Sequence, residues 1–173
     1  MQLKKLALAA AGAVTLAVGG GSAAADGGGG SRWKTVHVQF TPTDLVSTNE
    51  GVVCDAANQC VTVSTITATL TGDLVGSTVQ ATAVGFNGVN LAKIPQNVTG
   101  AVTGTVNGCG TGGFLYSGRG NIDGTTNRST MTYTIVEGTG TGELTGITGE
   151  LRQRGPADVI SPISGTLRCR PPG

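Results

Sequence analysis

The chain has 173 residues, of which 30 are glycine, 26 threonine and only six aromatic, with 11 lysines and arginines against 10 aspartates and glutamates. Glycine keeps no three-residue period, which excludes a collagen-like chain, and charge is too sparse for a coiled coil or a charge-driven disordered chain. Helix formers are scarce after residue 26, so a single domain of this length reads as all-β.

Residues 1–25 read as a secretory signal peptide. Lys4 and Lys5 form the positive start, residues 6–18 are apolar apart from Gly12 and Thr15, and Ala23, Ala24 and Ala25 offer a small-residue cleavage site. The apolar run falls short of the roughly 20 residues that span a bilayer, and no second long apolar run follows. The sequence therefore predicts a secreted, extracellular protein of bacterial character with no membrane span after cleavage. Loss of Lys4 and Lys5 lowers the basic count from 11 to 9 against 10 acids, leaving about −1 with His37 neutral. No basic surface is left to neutralise phosphates, so nucleic acid is not expected as a partner. Arg152, Arg154, Arg168 and Arg170 read as solvated positions on strands.

Residues 26–31 are a glycine-rich linker with no reason to fold, and residues 32–173 are expected to form the barrel domain. From residue 32, Val36, Val38 and Phe40 alternate with Thr35, His37 and Gln39, the period of a half-buried strand. Residues 42–51 read as a polar loop. Residues 61–70 are rich in β-branched side chains, with a phase shift that places a bulge near Ser64. A turn at 71–76 leads to a strand at 77–84, and residues 85–95 read as a loop. Val98, Val102 and Val106 mark the next strand.

Residues 112–122 carry Phe114, Tyr116 and Ile122 on one face. After a turn at 124–127, residues 128–137 place Met131, Tyr133 and Ile135 on one face and threonines on the other. Short strands are expected at 150–154 and 163–170. About eight short strands separated by turn signals, with no convincing helix, predict a single antiparallel barrel or a sandwich.

Four cysteines, Cys54, Cys60, Cys109 and Cys169, allow three pairings. In an exported chain they favour disulfides. Cys54 and Cys60 bracket a short polar loop, which leaves Cys109 for Cys169. Neither pair has the close spacing of a zinc site, so no metal is expected. The glycine-rich segment 138–146 lacks both dinucleotide and P-loop spacing, and no helix follows it. No cofactor is implied. His37, the one histidine, lies opposite its strand's apolar face and has no nucleophile elbow to serve. Asp73, Asp123, Glu143 and Glu150 sit in or beside turns, where solvated acids are ordinary, so no catalytic residue is assigned. The segments 71–76 (T-G-D-L-V-G) and 141–146 (T-G-E-L-T-G) echo each other, which reads as reused turn chemistry.

Residues 137–150 read E-G-T-G-T-G-E-L-T-G-I-T-G-E. In Gly140, Gly142, Leu144, Gly146, Ile147 and Gly149 this segment resembles the late signature of the allene-oxide-cyclase-like barrels. That group includes plant dirigent proteins, allene oxide cyclases and a bacterial family of uncharacterised domains. Residues 70–77 are similar to the first hairpin of that group. The resemblance implies an eight-stranded antiparallel barrel with an apolar interior, its end plugged by Leu144 and Ile147. In some members such a barrel guides cyclisation or coupling of hydrophobic small molecules. The catalytic acids and arginines of that group have no counterpart that can be placed on this chain.

Phe114, Tyr116, Met131, Tyr133 and Ile135 are the expected ligand-binding residues. Two adjacent strands would turn them inward, and an interior short of large side chains would leave a cavity for a hydrophobic small molecule, oriented by the two tyrosine hydroxyls. The expected function is a secreted barrel that binds such a molecule or serves as a non-catalytic extracellular module. An isomerase or coupling guide is the alternative, and a structural surface protein without ligand is the third. A continuous cavity separates the first two from the third, and an acid facing a base inside it would favour the enzyme.

Overall fold

The computed structural model describes residues 33–56, 59–87 and 93–170; the expected signal peptide (1–25) and glycine-rich linker (26–31) lie outside them. Eight antiparallel strands, Lys34–Cys54 (β1), Gln59–Gly72 (β2), Leu74–Asn87 (β3), Ile94–Val106 (β4), Gly110–Asp123 (β5), Arg128–Ile135 (β6), Thr148–Pro156 (β7) and Ile163–Cys169 (β8), close into one barrel in chain order. β1 and β8 seal it, in register from Lys34 opposite Cys169 to Phe40 opposite Ile163. Among the described residues one 3-10 turn, Gly142–Leu144, interrupts the strands. No helix there is long and apolar enough to cross a membrane.

Alternation decides which side chains fill the barrel. Val38 and Phe40 of β1 point in, alternating with the exposed His37 and Gln39. Phe114 and Tyr116 of β5, and Met131, Tyr133 and Ile135 of β6, are likewise buried. One end is shut. Leu74, Val106, Cys109, Leu144, Ile147 and Leu167 are fully buried there, and a disulfide joins Cys109 to Cys169 across it.

The two echoed segments build this floor in the same way. Asp73 Oδ2 accepts the Gln39 N–H at 2.9 Å and Glu143 Oε2 accepts the Thr111 N–H at 2.7 Å, each satisfying a neighbouring strand. The leucine that follows each acid, Leu74 or Leu144, drops into the interior. Gly142 makes its turn possible with φ +60, a conformation that side chains resist.

Three sequence expectations need correction. Residues 42–51 are strand, because β1 continues through Cys54, paired with β2 only. Residues 41–43 are still half-buried, but from 44 to 54 this ribbon of β1 is exposed throughout, so its sequence loses the alternation that marks a half-buried strand. The expected bulge at Ser64 is absent from β2, which runs in unbroken register with β3. The irregularity sits on the partner instead, where Asn49 pairs with Ser64 and Gly51 with Val63, leaving Glu50 extra. The expected loop at 85–95 is shorter, since β3 runs to Asn87 and β4 begins at Ile94. A second disulfide, Cys54–Cys60, joins directly opposed residues at the ribbon's tip, with Cα atoms 4.0 Å apart.

Candidate functional site

Above the floor the barrel encloses a cavity of about 360 Å³, within the size range of small-molecule sites. Its wall follows β3 from Leu74 to Thr82, which at about 3.3 Å per residue and a strand tilt of about 40° gives a depth of roughly 20 Å. The mouth lies at the other end, where Leu45, Val159 and Ile160 are both lining and exposed.

Phe114, Tyr116, Met131 and Tyr133 line this cavity. Ile135 is buried but does not border it. Two glycines make room for the tyrosines. Gly100 stands opposite Tyr116 across β4 and β5, and Gly118 opposite Tyr133 across β5 and β6. A Cβ on Gly100 would lie 2.5 Å from the Tyr116 hydroxyl, and one on Gly118 2.7 Å from the Tyr133 ring. The two rings meet edge to face, with centroids 5.7 Å apart.

Each tyrosine is held by a glutamine. Tyr116 donates to Gln80 Oε1 at 2.8 Å, and Thr78 Oγ1 lies 2.9 Å from the same hydroxyl. Tyr133 donates to Gln153 Oε1 at 2.8 Å, and Gln153 Nε2 donates to the Ser161 carbonyl at 3.1 Å. Burial pushes both phenols above their ordinary range; for Tyr116 the Thr78 hydrogen bond pulls the other way, and for Tyr133 the neighbouring Tyr116 pushes further in the same direction. Both are therefore neutral donors at physiological pH.

The glutamine partners were not among the sequence candidates. For Gln80 the signal is an inverted strand phase on β3: Thr78 and Thr82 are only 7% and 8% exposed, whereas Val79 between them is 52% exposed. A polar inward face on a barrel strand costs stability unless its groups are bonded, and such local inconsistency is typical of functional positions.

The remaining sequence candidates have local work. His37 is exposed, with Nδ1 3.3 Å from Thr166 Oγ1. Asp123 accepts the Thr125 and Thr126 N–H groups at 2.9 and 3.1 Å, with the Thr126 contacts chiefly lowering its pKa. Glu150 pairs with Arg152 at 2.8 Å on the surface. Arg168 and Arg170 lie over the Trp33 ring, at 5.3 and 5.0 Å from its centroid. None of these acids borders the cavity.

A meandering, fully closed eight-stranded barrel with a sealed floor and a polar-dotted apolar pocket is the class of protein that these features define. The chain belongs to the DUF3224 family, described as proteins of unknown function, whose model matches residues 39–156. It is similar to the crystal structure of a protein of unknown function from the same family, from Shewanella oneidensis MR-1. The likeness has a TM-score of 0.60 and 17% sequence identity, and covers 82% of this chain and 100% of that one. At that identity it speaks for the shared fold alone. No curated protein matches the chain.

Proposed function

We propose that the protein is an exported barrel that binds a hydrophobic small molecule in its interior, with Phe114, Tyr116, Met131 and Tyr133 as contact residues. The observation that carries this reading is the cavity of about 360 Å³, apolar for most of its wall and fitted with two hydrogen-bonded tyrosine–glutamine pairs. Few convergent polar groups in an apolar pocket are the usual form of a small-molecule site. Kinship with the allene-oxide-cyclase and dirigent barrels belongs to the same proposal, supported by the closed eight-strand meander and the plug formed by Leu144 and Ile147. Binding is favoured over isomerisation because the acid–base couple is not assembled. Among the described residues the cavity's one carboxylate, Asp158, is exposed at the mouth and held by Asn127 Nδ2 at 2.8 Å, and no basic side chain borders the cavity.

Titration with Nile red, an uncharged apolar dye, tests the reading. The wild-type protein should saturate with a blue-shifted, enhanced emission, and Tyr116→Ala and Tyr133→Ala should change the affinity several-fold. Emission no greater than with the denatured chain, or binding indifferent to both substitutions, would leave a structural barrel without a ligand. Export rests on the leader-like residues 1–25 and on two disulfides, which persist in oxidising compartments. N-terminal sequencing of protein recovered from the culture medium should start at or within a few residues of Asp26; retention of Met1 there contradicts it.

A further inference from the structure

The chemistry of the lining says more about what the cavity takes. Of the 28 described residues that border it, three can ionise: Tyr116, Tyr133 and Asp158. The two phenols are buried and bonded as donors to Gln80 and Gln153. Asp158 lies at the solvent-exposed mouth, on the loop after β7. No lysine, arginine or histidine among the described residues reaches the wall.

A charged group brought into such an interior loses its hydration and finds no opposite charge, a cost of several kcal/mol that the group avoids by giving up its charge. The amides of Gln80 and Gln153 leave hydrogen-bond donors free. An amide NH₂ carries two hydrogens. Gln153 uses one on the Ser161 carbonyl, and Gln80 uses one on Thr82 Oγ1 at 3.4 Å. Each glutamine keeps a second N–H, while its carbonyl oxygen is occupied by a tyrosine. Tyr133, having given its proton away, keeps an acceptor oxygen.

We infer that the barrel selects uncharged amphiphiles: molecules with an apolar body and a hydroxyl, ester, ketone or amide group that accepts from Gln80 and Gln153, in preference to free fatty carboxylates or amines. This inference rests on the cavity-binding reading above. A carboxylate enters only after taking up a proton. With an ordinary carboxyl pKa of about 4–5, that weakens its apparent affinity near neutral pH by roughly two to three orders of magnitude.

Isothermal titration calorimetry of the purified mature protein with decanol, decanoate and decylamine, matched in chain length, tests it. Near pH 7 decanol should bind at least tenfold tighter than either charged analogue. Decanoate should gain about tenfold in affinity for each unit of pH lowered toward its own pKa. Asp158→Asn should preserve the order, since the interior's lack of a counter-charge and not repulsion at the mouth sets it. Decanoate or decylamine equal to decanol, or an order that Asp158→Asn erases, overturns the inference while Nile red binding stands. If none of the three binds, the inference falls as well, and the Nile red titration shows whether the cavity-binding reading falls with it.

Discussion

Gly100 and Gly118 each lie across a strand pair from a tyrosine, and the ring takes the space that a Cβ would fill. This explains why a barrel wall rich in glycine still holds its aromatic side chains in fixed places. The phenols so placed carry a pH signature. Burial raises both above the ordinary tyrosine value of 10.0, while in the unfolded chain they ionise at that value. Above pH 10.0 the unfolded state therefore binds fewer protons than the folded one, so stability is intact below that pH and falls as pH rises beyond it. The loss should approach about 1.4 kcal/mol per pH unit for each tyrosine. Urea unfolding between pH 9 and pH 11 should show this slope, and the Tyr116→Phe, Tyr133→Phe double variant should flatten it. An equal slope in that variant would place both phenols in solvent.

At the scale of elements the two disulfides do different work. Cys54–Cys60 closes six positions of a solvent-exposed ribbon, whereas Cys109–Cys169 spans 60 positions and ties β8 to the floor. On the chain-entropy model the longer closure stabilises by about 4 kcal/mol and the shorter by roughly 2. Cys109→Ser should lower the unfolding free energy more than Cys54→Ser, read from chemical denaturation. Equal losses would mean that the ribbon's tip is as integral to the barrel as its floor. The strands β4 to β8 were legible in the sequence because Val98, Val102, Phe114, Tyr116, Met131 and Tyr133 fall on inward faces and glycine or proline punctuates the turns. The outer half of β1 was not, since residues 44–54 are exposed throughout and no core imprints a period on them. The glutamines escaped for the opposite reason. Gln80 and Gln153 occupy inward positions where pattern reading expects apolar side chains, and only the folded barrel brings them to Tyr116 and Tyr133.

Across the whole molecule, the barrel has a floor and a mouth. Leu74, Leu144, Ile147 and Leu167 close the floor completely, and the cavity stops above Leu144, Ile147 and Leu167. At the mouth Leu45, Val159 and Ile160 present an exposed apolar lip. Such a shape is a cup and not a conduit. Nothing crosses it from end to end, so whatever it holds leaves by the way it came. A newcomer cannot push the occupant out from behind. On the proposed binding reading, turnover of the contents is then governed by the occupant's own departure rate, however concentrated the newcomer.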